Sequence, residues 1–219
     1  MNQKTFRNCL TAVILTALSI GPSAIAQEKA AGKDAKSGTA QPSESEMMNM
    51  MMEMSKPGEN HKHLQAMAGT WSYKLKYWMN PEAEASESSG KTVMRTVLGG
   101  RYLTSETTGK MQMPGADGKM TDMEFKGMSF EGYDNAKKKF VYSWIDNMGT
   151  GIMNAEGTYD AGSKTLTYVI NDYEPMPGMK TKMRQTVVFT DNNHHTMSFY
   201  EERGGKEVKT MEIAYTRES

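Results

Sequence analysis

Eight residues, Met47-Met48-Asn49-Met50-Met51-Met52-Glu53-Met54, carry six thioethers, and His61 and His63 follow a few positions later. Thioether sulfur is a soft ligand that suits Cu(I), and imidazole binds copper in either oxidation state. Met47, Met50, Met51, Met54, His61 and His63 therefore form a candidate copper site. Methionine is abundant throughout this chain, however, with 22 in 219 residues. The same segment also reads as a helix-prone apolar stretch that docks on the rest of the protein or on a partner, since methionine is a good helix former.

A second constellation involves charge. Asp146 follows Trp144 in the same two-residue phase, and Arg95 and Arg184 sit within runs of strand-forming residues. A carboxylate facing an apolar interior needs a partner, because an isolated buried charge is very costly. An Asp146–Arg184 pair could orient the polar head of a ligand; the same residues serve equally as a structural ion pair or a solvated rim. His194-His195 follows Asp191-Asn192-Asn193 and reads as a solvated turn pair. Neighbouring side chains point to opposite faces of a strand, so the two cannot grip one metal there. Nucleophile elbows, paired zinc histidines and phosphate-cradling glycine loops are missing from the sequence. Glu106, Glu124, Asp146 and Glu156 could pair in space for acid–base work, so enzymatic activity stays open and no catalytic residue is assigned.

The elements that would position these groups begin after residue 58. Lys4 and Arg7, the apolar run Leu10 to Ile20 and then Ala24-Ile25-Ala26 make residues 1–26 a signal peptide cleaved near Ala26, which implies a secreted or periplasmic protein. The single cysteine, Cys9, leaves with it, so the mature chain has no disulfide or thiol chemistry. Losing Lys4 and Arg7 from 26 basic residues leaves a formal charge of about −2, without the clustered positive charge that nucleic acid requires. No stretch reaches the roughly 20 apolar residues of a membrane span. Residues 27–58 read as a disordered linker containing the Met-rich segment, because residues 27–46 carry hardly any large apolar side chain with which to offset ordering entropy. Lys56-Pro57-Gly58 breaks regular structure before the domain at 59–219.

Within that domain, Leu64, Met67 and Ala68 recur at helical spacing and predict one short helix over 59–68. Trp71, Tyr73, Leu75 and Tyr77 then alternate with polar residues. Nine further strand-like runs follow, separated by turn residues such as Gly99-Gly100, Asp117-Gly118, Asp134-Asn135, Pro175 to Gly178 and Gly204-Gly205. About ten short strands with hairpin-length connections predict an all-β, antiparallel up-and-down meander, and closure into a barrel removes its exposed edges. Trp71, Tyr73, Tyr77, Tyr142, Trp144, Met197, Phe199, Met211 and Tyr215 are expected to face inward. Such an interior is either an adaptable pocket for a small apolar or amphipathic ligand or a filled core. The candidate binding residues are Trp71, Tyr73, Tyr142, Trp144, Asp146, Arg184 and Arg217. Oligomeric state is not legible.

Arg217 lies in the last strand in phase with Met211, Ile213 and Tyr215, so its guanidinium could cover the Trp71 indole, a cation–π contact of about 1–2 kcal/mol when desolvated. An early Gly69-Thr70-Trp71 covered by a terminal-strand arginine resembles the lipocalin-like (calycin) arrangement. More closely, residues from about His61 to Arg217 resemble a bacterial secreted family known as domain of unknown function 1579. The resemblance rests on His63-Leu64, Ala68-Gly69-Thr70-Trp71, Leu98-Gly99-Gly100-Arg101-Tyr102-Leu103, Gly132-Tyr133-Asp134, Trp144-Ile145-Asp146, Glu156-Gly157-Thr158-Tyr159-Asp160 and Tyr215-Thr216-Arg217. It implies a lipocalin-like fold and brings no activity or catalytic residue with it.

Overall fold

Alternation of side chains along ten consecutive runs has one geometric outcome in the structure, a computed structural model that describes residues 41–115, 119–174, 178 and 180–218. The expected signal peptide and residues 27–40 of the linker after it lie outside the described residues, as do the turn expected at Asp117-Gly118 and part of the one expected at Pro175 to Gly178. The strands are β1 (Gly69–Tyr77), β2 (Ser86–Val97), β3 (Tyr102–Pro114), β4 (Met120–Asp134), β5 (Lys139–Asp146), β6 (Met153–Asp160), β7 (Thr165–Tyr173), β8 (Thr181–Phe189), β9 (His194–Arg203) and β10 (Lys206–Arg217). Each pairs antiparallel with its sequence neighbours, and β1 pairs with β10, so the sheet is a closed ten-stranded barrel. Closure leaves no open edge. The closing register sets Trp71 opposite Arg217 and Tyr73 opposite Tyr215, which is the arrangement expected from the sequence.

Among the described residues, two helices precede the barrel. The one expected at 59–68 is α2 (Glu59–Ala66), and its buried residues are His61 and Leu64, followed at the same spacing by Met67. The other, α1 (Glu44–Met54), occupies residues assigned to the linker by composition. Its start is a capping box: the Ser43 amide donates to Glu46 Oε2 at 2.8 Å while the Glu46 amide donates to Ser43 Oγ at 3.3 Å. Its far end is held through backbone carbonyls. Asn135 Nδ2 donates to Met54 O and Lys56 O at 2.8 and 2.9 Å, and Arg101 Nε donates to Ser55 O at 3.1 Å.

Because α2 precedes β1, it lies at the end where the odd strands start and the even strands finish, and it packs on β2, β3 and β4 there. The opposite end is formed by the finish of β1, β3, β5, β7 and β9. The core runs between them through Leu64, Trp71, Leu103, Phe140, Leu166, Tyr168, Ile170 and Val187. Among the described residues no helix is long and apolar enough to cross a membrane.

Candidate functional site

At the α2 end, the polar groups of Trp71 and Arg217 find protein partners. The Trp71 indole donates to Met67 O at 2.9 Å. Arg217 donates through Nη1 to Ala68 O at 2.6 Å, through Nη2 to Ala66 O at 2.7 Å and through Nε to Asn192 O at 3.0 Å. The guanidinium thereby satisfies the carbonyls left free where α2 ends. Its carbon stands 4.1 Å from the Trp71 ring centroid, so the cation–π contact also forms. Gly69 has φ +141°, and a Cβ there would collide with Arg217 Nη1, so the glycine of Gly69-Thr70-Trp71 is what admits the arginine.

His195 is the other buried group at this end. The sequence reading placed both histidines in a solvated turn. Only His194 is exposed, beside Asp191 at 3.0 Å, whereas His195 begins the inward face of β9 with Met197 and Phe199. Its ring stacks on Tyr215 at 4.5 Å and meets Trp71 edge-on at 4.5 Å, and neither nitrogen has a hydrogen-bond partner. Burial, with the Arg217 charge adding to it, pushes its pKa down to about 4. Uncharged His195 packs as an aromatic spacer between Trp71 and Tyr215.

Toward the middle of the barrel the chemistry changes. Glu131 of β4 is 6% exposed and accepts a hydrogen bond from the Tyr168 hydroxyl at 3.3 Å. Burial pushes its carboxyl pKa up to about 7, the Tyr168 hydrogen bond pulling back slightly. Glu131 is the register partner of Tyr142, whose ring lies 5.5 Å from that of Tyr168. Burial, and then the neighbouring Glu131, raise both phenols well above their ordinary pKa. Tyr168 in turn is the register partner of Gln185, which is fully buried with neither amide atom hydrogen-bonded. Ser105 and Ser129 share a 2.6 Å hydrogen bond and Thr92 and Thr107 one of 2.9 Å, so the wall from β2 to β4 is polar as well.

Nearer the end opposite α2, Trp144 donates from Nε1 to Asp146 Oδ2 at 2.7 Å and stacks with Phe125 at 6.2 Å. The ring lies across Gly127, where any Cβ would collide with it. Gly127 and Asp146 also line an open groove of about 370 Å³ whose outer rim is Met128 and Ile145.

The sequence-derived set thus divides. Trp71, Tyr73, Tyr142 and Arg217 gather inside or at the sealed end, and Trp144 with Asp146 sits near the mouth. Arg184 does not join them. It is out of phase with inward Met183, Gln185 and Val187, forms a two-armed ion pair with Glu207 at 2.8 and 2.6 Å, and lies 4.1 Å over the Tyr200 ring. Arg95 likewise pairs with Glu106 on the exposed wall at 3.0 Å. Among the copper candidates, His61 is buried with Nδ1 accepting the Gly58 amide hydrogen at 2.9 Å, while His63 is exposed against Tyr159 at 4.3 Å. Two residues apart on a helix, the pair faces different ways. Met47, Met50, Met51 and Met54 are all exposed on α1.

Glu131, Tyr168 and Gln185 are not singled out by the sequence, and His195 reads there as part of a solvated turn. For Gln185 and His195 a signal existed: each shares phase with apolar residues on its strand, Met183 and Val187 for one, Met197 and Phe199 for the other.

Comparison with known proteins agrees with this architecture. The crystal structure of Rv2717c from M. tuberculosis superposes with a TM-score of 0.53 at 13% identity, covering 75% of this chain and 100% of that one, a likeness of fold. No curated protein matches. Residues 56–217, essentially α2 and the whole barrel, match the family described as protein of unknown function (DUF1579), and the chain belongs to that family.

Proposed function

We propose that the barrel holds a small amphipathic molecule non-covalently. Its uncharged head bonds to the Gln185 amide beside Tyr168 and Glu131, and its apolar part points toward Trp144 and Phe125. One observation carries this reading: the Gln185 side chain is wholly buried and unpartnered at both amide atoms. Each unmet polar group costs about 1–3 kcal/mol, so a filler with a donor and an acceptor is favoured there. Glu131, neutral up to about pH 7, can donate to such a head and would repel an anion once ionised. Tyr142, Tyr168 and the methionines along the wall suit an organic body that they can re-pack around. Ordered water is the competing occupant. The leader-like residues 1–26 support a site of action outside the cytoplasm.

Native mass spectrometry of the protein purified from its own host tests the proposal. An organic adduct that is released on denaturation is the expected result. A folded chain at its bare mass would contradict it.

A further inference from the structure

α1 is a well-formed helix that buries none of its own residues. Met47, Met48, Met50, Met51, Met52 and Met54 are between 41% and 68% exposed, so these side chains contribute little to the fold. The helix is held instead by its capping box and by the hydrogen bonds from Arg101 and Asn135 to carbonyls at its end. That leaves the sulfurs free on a positioned element.

Their spacing is specific. Met47, Met50, Met51 and Met54 stand at i, i+3, i+4 and i+7, one face of the helix, where neighbours lie about 5–6 Å apart at Cβ. Three rotatable bonds per side chain let such sulfurs swing onto a common point. Neutral thioethers are poor ligands for Ca²⁺, Mg²⁺ or Zn²⁺ and good ones for Cu(I). The histidines do not belong to the set: the His61 Nδ1 lone pair is taken by the Gly58 amide, and His63 packs on Tyr159. Glu44 and Glu46 on the same helix offset the single positive charge that a thioether site would leave on the ion, Glu53 being paired with Lys56.

We propose that α1 is a Cu(I) site in which three or four of Met47, Met50, Met51 and Met54 ligate one ion. This rests on the outer helix alone and stands or falls separately from the barrel ligand. Because thioethers carry no proton to displace, the affinity is flat across the range in which imidazole titrates.

The test uses the full-length chain carrying Cys9→Ser, which removes its only thiol. Anaerobically and with excess ascorbate, it is titrated against the Cu(I)–bicinchoninate complex. The expected result is withdrawal of one Cu(I) per chain with the same affinity at pH 8 and pH 5.5. Replacing Met47, Met50, Met51 and Met54 together by Leu, which preserves helix propensity, should weaken binding at least about 100-fold with an unchanged Tm. Met48→Leu with Met52→Leu should retain it. Three outcomes would overturn the proposal: a chelator complex left intact by the unsubstituted helix, a fourfold variant that binds as tightly, or an affinity that collapses at pH 5.5.

Discussion

The two halves of the barrel interior handle polar groups differently. At the end closed by α2, Trp71 donates to Met67 O, Arg217 donates to Ala66 O, Ala68 O and Asn192 O, and His195 is wedged between aromatic rings. In the middle layer, Glu131 has a long hydrogen bond to Tyr168, and Gln185 makes none. At the sealed end the indole and the guanidinium are satisfied and the unpartnered His195 ring is enclosed by aromatic rings, whereas in the middle layer a whole amide, with donor and acceptor, goes unused by the protein.

The largest expected effect concerns the sealed end. Trp71→Ala removes a fully packed ring and the seat of Arg217, and should cost about 3–5 kcal/mol in chemical denaturation. A loss below about 1 kcal/mol would mean that this end is not what holds the barrel closed.

The next prediction sets one region against the other through pH. Glu131 ionises above about 4.5 in the unfolded chain but only near 7 in the fold, so ionisation favours unfolding as pH rises through that window. His195 protonates below about 6.5 when unfolded but only near 4 in the fold, so it favours unfolding as pH falls. The stability of Glu131→Gln relative to the parent should therefore climb from near zero at pH 4 to about 3 kcal/mol at pH 8. His195→Phe should shift the other way, gaining on the parent toward pH 4. Parallel pH curves for both variants and the parent would erase the distinction.

Smaller again is Gln185→Leu. Removing an amide with no partner should stabilise the ligand-free protein by about 1–3 kcal/mol. Destabilisation in a thermal melt would show that the amide is already satisfied.

These contrasts also show what could be read from sequence. In β1 and β10 the hydropathy phase reports the inside directly, and the Gly69-Thr70-Trp71 pattern located both the indole and its arginine. β4 is inverted. Its inward residues are Gly127, Ser129 and Glu131, while Met128 and Phe130 are 40% and 54% exposed. The volume over that strand is filled by Trp144 and Tyr142 of the neighbouring β5 and by Tyr168 of β7, so β4 has room only for small or polar side chains. No local pattern on β4 contains that information. On β8 the information is present, because Met183 and Val187 set the phase that turns Gln185 in and Arg184 out, against the inward place expected for Arg184 from its charge.

The most direct test of the central claim is a high-resolution crystal structure of the protein as purified from its host, read at the Gln185 side chain. Density for an organic molecule within hydrogen-bond distance of the amide and of Glu131 is the predicted result. An amide bonded only to protein groups or to isolated waters would contradict it.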